Sequence, residues 1–431
     1  MKSREPDSKP PADGDTALLK KLGPGLITGA ADDDPSGIAT YSQAGAQFGL
    51  NTLWSVLFTF PLMVGIQVIS ARIGRVSGHG LASNLRKHYS APFLYTIVSL
   101  LLIANIANIA ADIAAMGEAL KLLIGGPAHL YAIAFGIISL LLQVFIPYTR
   151  YVRVLKWLTL VLLAYVGTLF AVHIPWGEVV RGTVWPHLSW DPAYITMVVA
   201  IFGTTISPYL FFWQASQEVE EMEDHPGAQP LIQAPEQAAS NFKRIRTDTL
   251  IGMGFSNVIA FFIMLTTALT LHLQGVTDIQ TSAQAATALR PIAGEFAFWL
   301  FAGGIIGTGL LAIPVLAGSS AYAMAGAFGW KNSLADKPQA AKAFYAVIAL
   351  STLLGVLICF APIDPMKALV WSAVVNCVIA VPIMFLMMRM ASRRDIMGEF
   401  TLGPGLKGLG WSCSIAMALA VIAMFWGMLL G

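Results

Sequence analysis

Charged residues are scarce in this chain of 431 residues. Asp, Glu, Lys and Arg make up 12% of it, whereas apolar and aromatic residues make up 56%. A soluble protein of average composition carries about 25% charged residues. Together with a mean hydropathy of +0.68, this shortage argues against an ordinary soluble enzyme or nucleic-acid-binding protein and predicts an integral membrane protein.

Cysteine and enzyme motifs are also lacking. The three cysteines, Cys359, Cys377 and Cys413, lie in apolar segments, which argues against a disulfide framework or a Cys-based zinc site. No His-Glu-x-x-His, Gly-x-Ser-x-Gly or Walker-type loop occurs, so neither hydrolysis nor ATP-driven pumping is indicated, and no cofactor is expected. The first 16 residues have no apolar core, and residues 1–22 are therefore interpreted as a cytoplasmic tail rather than a cleaved signal peptide.

Long apolar runs recur along the chain. A window of about 20 apolar residues per crossing predicts about eleven transmembrane segments. They lie near residues 23–48, 52–71, 92–119, 130–147, 154–174, 193–217, 250–273, 296–320, 343–362, 367–388 and 411–430. All 26 Lys and Arg residues except Lys121, Arg181, Arg290 and Lys367 then fall on one side, which the positive-inside rule assigns to the cytoplasm. We predict a multi-pass protein of the plasma membrane with the N-terminus in the cytoplasm and the C-terminus outside.

The first segment carries three consecutive acids, Asp32, Asp33 and Asp34, and runs directly into Pro35. Acids at membrane depth are costly and usually mark ion pathways, and a proline cannot continue a regular helix. The segment is therefore expected to break here and to form a cation site. Asp34, next to the proline, is the predicted metal ligand, and Asp33 is predicted to support it or to accept a proton. The alternative for a membrane Asp is a helix cap or a packing residue.

The sixth segment is interrupted at Thr204-Thr205-Ile206-Ser207-Pro208. Two broken helices that lie five segments apart run in opposite directions, which is typical of a five-plus-five inverted repeat. We predict an all-α membrane fold with a first repeat over 23–174, a second over 193–390 and an additional helix over 411–430. Ser207, Thr204, Thr205 and Tyr209 offer oxygen donors, which suit Mg²⁺, Ca²⁺ or Mn²⁺. Alternatively, a threonine here bonds back to its own helix.

Other polar residues at membrane depth allow several interpretations. Asp112, with Asn105 and Asn108 on neighbouring turns, pairs with Arg or Lys, lines a proton path or contacts the site. Asn376 serves either helix packing or ligation. The acidic run from Glu218 to Glu223 is predicted to be a solvated helix end, and the alternative is an exit vestibule that concentrates cations.

Taken together, these motifs resemble the Nramp-type divalent metal transporters over roughly residues 23–400. Residues 34–40 and 43–46 resemble the family's Asp-Pro-Gly-Asn-x-Ala-Thr and Gln-Ala-Gly-Ala. Residues 72–78 match its Arg-Leu-Gly-x-Val-Thr-Gly, and residues 203–209 stand where it has Gly-Ala-Thr-Val-Met-Pro-His. Asp112 matches the acid of its Thr-Asp-Leu-Ala-Glu, and Asp248 and Asn257 resemble its span-seven Asp and Asn. The resemblance implies a LeuT-like fold and a metal site at Asp34, the Ala31 carbonyl and the Thr204 carbonyl.

The chain departs from the family pattern at its site. The resemblance places Gly37 where the family has an asparagine ligand, Ser207 where it has a methionine ligand, Tyr209 in place of a histidine and Ala115 in place of a glutamate. Loss of the thioether removes a soft donor that favours Mn²⁺ and Fe²⁺ over Mg²⁺ or Ca²⁺. Loss of the histidine and the acid removes groups suited to carrying a proton near neutral pH.

We therefore expect a transporter, not an enzyme, that moves divalent metal cations into the cytoplasm by alternating access with weak or absent proton coupling. The predicted ligands are Asp34, Ala31, Thr204 and Ser207, and the residues expected around them or on a proton path are Asp33, Gly37, Gln43, Asp112, Tyr209 and Asp248. The predicted partners are the metal ion, as substrate, and the lipid bilayer; no nucleic acid is expected, and no oligomeric state follows. Two alternatives stay open: a LeuT-fold carrier for an organic cationic solute, and a transport-inactive sensor or scaffold.

Overall fold

The structure, a computed structural model, describes residues 24–146, 161–331, 333–334 and 338–430. The predicted cytoplasmic tail over 1–22 and residues 154–160 of the predicted fifth span lie outside the described residues. In the part of the chain that is described, all regular structure is helical.

The α-helices follow the predicted segments closely, with short helices between them. They are α1 (Pro24–Asp32), α2 (Pro35–Phe48), α3 (Trp54–Ser77), α4 (Leu81–His88), α5 (Ala91–Ile124), α6 (Ala128–Phe145), α7 (Leu163–Thr168), α8 (Trp176–Val184), α9 (Pro192–Thr205), α10 (Pro208–Asp224), α11 (Ala238–Thr270), α12 (Ser282–Thr287), α13 (Arg290–Ala293), α14 (Ala297–Phe328), α15 (Lys342–Ile358), α16 (Pro365–Ala391), α17 (Arg394–Met397) and α18 (Pro404–Leu430). Short 3-10 helices lie at Gly49–Thr52, Pro235–Gln237, His272–Gln274 and Gly294–Phe296.

Membrane-spanning length is common among these helices. The described residues contain 8 helical stretches that are long and apolar enough to cross a bilayer, and α15 is a shorter apolar helix. The stretch Pro35–Ser77 counts as one of the eight and contains both α2 and α3. The pattern agrees with the predicted spans outside the fifth.

Both predicted helix breaks are present. α1 ends at Asp32 and α2 begins at Pro35, and α9 ends at Thr205 while α10 begins at Pro208. In each case the proline is the first helical residue, where its missing N–H costs nothing and its fixed φ suits the helix. Each break therefore joins the carbonyl end of one half-helix to the N–H end of the next.

Glycines let the half-helices approach their neighbours backbone to backbone. α1 packs on α11, and a Cβ on Gly29 would overlap the main-chain atoms of Gly252. α9 packs on α16, and a Cβ on Gly203 would overlap the carbonyl of Ala373. Small residues at such crossings are typical of helix packing in membranes. Each half-helix that ends at a break is thereby held closely against a neighbouring long helix.

Candidate metal site

Asp34 lies where the two broken helices meet, and its side chain is 1% exposed. As N-cap of α2, its Oδ1 accepts hydrogen bonds from the Gly37 backbone N–H and the Ser36 hydroxyl, both at 2.7 Å. The capping role predicted as the alternative for this residue is therefore real, but it uses only one carboxylate oxygen. Oδ2 accepts from Asn108 Nδ2 at 3.0 Å and from the Tyr209 hydroxyl at 3.3 Å.

Tyr209 connects two of the predicted ligands. Its hydroxyl is 3.3 Å from both the Ala31 carbonyl oxygen and Asp34 Oδ2, and its ring is fully buried. Ala31 is in the last turn of α1, where helix carbonyls lack partners within the helix. The phenol thus lies within hydrogen-bond distance of the two oxygens that a cation at this break would bind, and with its single proton it donates to one of them at a time.

The hydroxyls of the second break differ in where they point. Ser207 Oγ donates to the carbonyls of Gly203 and Thr204, at 2.8 and 2.9 Å. Thr205 Oγ1 donates to the Ile201 carbonyl at 2.6 Å and lies 3.0 Å from the Tyr41 hydroxyl. The back-bonding alternative thus holds for Thr205, and the proton of Ser207, which lies between α9 and α10, is directed to the carbonyls at the end of α9.

Two further acids adjoin the first break. Asp32 Oδ2 and Asp33 Oδ1 lie 2.6 and 2.9 Å from the Ser256 hydroxyl of α11. Because one hydroxyl carries one proton, it cannot donate to both carboxylates at once. The other oxygen of each acid is buried without a hydrogen-bond partner. Sequence reasoning missed Ser256, which lies 224 residues from Asp32 and has no local signal.

Helix α5 faces the first break with a polar stripe. Asn108 donates to Asp34, and Asn105 Nδ2 donates to the Leu316 carbonyl at 3.1 Å and the Ser320 hydroxyl at 2.9 Å, which ties α5 to α14. Asp112 is fully buried, and within the described part of the chain neither carboxylate oxygen has a hydrogen-bond partner. The spacing of 105, 108 and 112 places the three on one helix face, a signal that points to Asn108 as a partner of the site.

The site is rich in buried negative charge. Across the described residues, no ion pair reaches Asp32, Asp33, Asp34 or Asp112. An uncompensated buried carboxylate is strongly disfavoured, so this arrangement favours bound cations or protons. The buried side chain of Asn376, on α16, also has no hydrogen-bond partner.

Two residues predicted to surround the ligands make contacts elsewhere. Gln43 Oε1 accepts from the Ile279 N–H at 2.8 Å, and Gln43 Nε2 donates to the Thr277 carbonyl at 3.1 Å. Gln43 thereby holds the segment after α11 against α2. Asp248 Oδ2 accepts from the Gly25 N–H at 2.7 Å and so binds the start of α1.

The acidic run at the end of α10 is not uniformly solvated, so that prediction is wrong for its first members. Glu218 is fully buried and pairs with Arg244 of α11 at 2.5 Å. Glu220 Oε1 accepts from the Tyr322 hydroxyl at 2.7 Å and the Leu334 N–H at 2.6 Å. Glu223 is exposed as predicted. The first members of the run are buried because partners from α11, α14 and the segment after α14 bind them.

Comparison with known proteins identifies relatives over nearly the whole chain. The family model described as natural resistance-associated macrophage protein-like, Nramp, matches residues 25–427. A divalent metal cation transporter MntH of Acidiphilium cryptum is 26% identical over 416 residues, which cover 93% of this chain and 88% of the relative.

Solved structures share the fold. The Eremococcus coleocola manganese transporter, in complex with an aromatic bis-isothiourea substituted compound, superposes with a TM-score of 0.75 at 17% identity, covering 97% of this chain and 89% of that one. MhsT in complex with L-phenylalanine gives a TM-score of 0.61 at 13% identity, covering 94% and 98%. The predicted all-α, LeuT-like fold class is confirmed.

Proposed function

The chain belongs to the Nramp family, and from this we propose that it is a secondary transporter that moves divalent metal cations into the cytoplasm by alternating access. The observation that carries the proposal is a buried carboxylate, Asp34, at the meeting point of two broken helices, beside the Ala31 carbonyl. Broken helices at midplane expose carbonyl oxygens to a cation. The name of the MntH relative supports the same substrate class.

The proposed ligands are the Asp34 carboxylate, the carbonyls of Ala31 and Thr204, and the Ser207 oxygen through a lone pair. All are oxygen donors, and oxygen donors suit Mg²⁺ and Mn²⁺ alike. We therefore expect weaker discrimination against Mg²⁺ than a thioether ligand would provide.

Proton coupling is proposed to be weak or absent. Tyr209 lies beside Asp34 and is bonded to it, and a phenol does not exchange a proton near neutral pH as an imidazole does. Asp33 and Asp112 are the proposed proton carriers if any coupling is measured. A pH-sensitive dye inside proteoliposomes, read during metal uptake, tests this.

Replacement of the Asp34 charge at constant shape tests the site. Asp34→Asn keeps a capping side chain and removes the negative charge. Asp191→Asn is the matched control, because Asp191 also caps a helix that starts with proline but is exposed. We expect Asp34→Asn to lose binding of both Mn²⁺ and Mg²⁺ in calorimetry and their uptake into proteoliposomes, whereas Asp191→Asn retains both.

Unchanged metal uptake by Asp34→Asn would show that Asp34 is not a metal ligand. Inhibition of uptake by organic amines, with no response to metals, would support an organic-cation carrier instead. Metal binding without flux would indicate a sensor or scaffold.

A further inference from the structure

The Thr204 hydroxyl stands apart from the other hydroxyls of the second break. Thr204 is 1% exposed, and its Oγ1 has no hydrogen-bond partner among the residues that the structure describes. A threonine in a helix ordinarily donates to a carbonyl one turn back, and Thr205 and Ser207 do so here. A buried hydroxyl that makes no hydrogen bond is unfavourable and calls for a ligand.

Gly37 lies directly in front of this hydroxyl. A Cβ on Gly37 would be 3.2 Å from Thr204 Oγ1, 3.4 Å from Cε2 of the Tyr41 ring and 3.5 Å from the Asp32 carbonyl oxygen. The backbone N–H of the same glycine donates to Asp34 Oδ1 at 2.7 Å. A hydroxyl, a carbonyl and a carboxylate oxygen therefore surround one residue that has no side chain.

We infer that the Thr204 hydroxyl is a ligand of the transported divalent cation and that Gly37 provides the room for it. The inference rests on the proposed function and deepens it, since it assigns the side-chain oxygen, in addition to the carbonyl, of Thr204. The hydroxyl binds a hard cation through a lone pair and keeps its proton. The Thr204 hydroxyl would thus supply a neutral oxygen ligand in place of the asparagine that the family pattern has at position 37.

The geometry links the two positions. An asparagine at 37 would place its Cβ in tight contact with Thr204 Oγ1, so the two side chains compete for one space. Because the contact can be relieved only if Thr204 shifts, we expect a side chain at 37 to displace the Thr204 hydroxyl from its position. The pair therefore behaves as a unit in double-mutant analysis.

Substitutions at 204 separate the hydroxyl from the shape of the side chain. Thr204→Val keeps the branched shape, and Thr204→Ser keeps the hydroxyl. Thr205→Val is the control one residue on, where the hydroxyl is bonded to the chain's own helix. By calorimetry with Mn²⁺ and with Mg²⁺, we expect Thr204→Val to bind about tenfold more weakly, while Thr204→Ser and Thr205→Val stay within about threefold of wild type.

A swap of both positions gives a second test that does not depend on Thr204→Val folding. Gly37→Asn alone is expected to lose metal affinity, and Gly37→Asn combined with Thr204→Ala is expected to regain it to within about threefold of wild type. Size-exclusion profiles and melting curves establish that each variant is folded.

Three results would overturn the inference. One is wild-type metal affinity in folded Thr204→Val, and another is a loss of affinity in Thr205→Val equal to that in Thr204→Val. The third is a double variant that binds metal no better than Gly37→Asn. Each of these results leaves the proposed function standing as long as wild-type protein binds metal and Asp34→Asn does not. Wild-type protein that binds neither ion would overturn the proposed function, and the inference with it.

Discussion

At the scale of single residues, Asp34 is held from two directions. The donors on Oδ1, Ser36 and Gly37, come from its own helix, whereas those on Oδ2, Asn108 and Tyr209, come from other helices. Displacement of the first pair would remove the cap of α2. We therefore expect a cation to bind Asp34 at Oδ2, where it would compete with Asn108 and Tyr209.

Tyr209→Phe is expected to strengthen metal binding. The change removes the hydroxyl that donates to either the Ala31 carbonyl or Asp34 Oδ2, while the buried ring stays. A hydrogen bond of about 1 kcal/mol that no longer has to be displaced corresponds to about fivefold tighter binding. Calorimetry with Mn²⁺ and Mg²⁺ measures the change.

Tyr41→Phe is the control, because Tyr41 is a buried phenol bonded to Thr205 rather than to a proposed ligand. Weaker binding by Tyr209→Phe would mean that the phenol is itself a ligand and not a competitor.

At the scale of secondary-structure elements, the position of α1 depends on its contact with α11. The two helices touch at Gly29 and Gly252, and the Gly25 N–H at the start of α1 is bonded to Asp248 of α11. Ala31 and Asp32 at the end of α1 are positioned by this packing, so a change in the crossing displaces the site.

Gly29→Ala is expected to destabilise the protein by about 1–3 kcal/mol, because the added methyl overlaps the Gly252 backbone and neither helix can move freely. Gly408→Ala is the control: Gly408 also lies within a helix, but a Cβ there meets no atom within 4 Å. The control is expected to be neutral or slightly stabilising, by about 0.5 kcal/mol. Thermal unfolding in detergent compares Gly29→Ala with Gly408→Ala. Equal midpoint temperatures would show that the contact between α1 and α11 accommodates the added methyl group.

At the scale of the whole molecule, local signals in the sequence predicted the architecture better than they predicted the site's surroundings. Apolar runs and Asp-Pro or Ser-Pro breaks are local patterns, so both broken helices were predictable. The bonds from Ser256 to Asp33 and from Tyr209 to Asp34 join residues 223 and 175 positions apart. The burial of Glu218 likewise depends on Arg244 of another helix. Such contacts depend on packing between helices, which no local pattern encodes.

The charge distribution makes a prediction about the orientation of the whole chain. Gln229, after α10, is predicted to lie in the cytoplasm, and Glu295, before α14, outside; both are exposed. In a background without the three native cysteines, a membrane-impermeant thiol reagent is expected to label Glu295→Cys in intact cells and to label Gln229→Cys only after permeabilisation. The opposite labelling would reverse the topology that the positive-inside rule predicts.

The four hydrogen bonds that Asp34 accepts also affect the step that follows release of the metal ion. A carrier must return unloaded across the membrane to take up a new ion, and a bare carboxylate on that return leg would be a severe energetic obstacle. Here hydrogen bonds from Ser36, Gly37, Asn108 and Tyr209 replace part of the solvation that a bound ion would provide to Asp34, although they do not neutralise its charge. We therefore expect the empty carrier to return without exchanging one ion for another. Net accumulation in vesicles that contain no metal, rather than one-for-one exchange, is the transport mode to which this arrangement is suited.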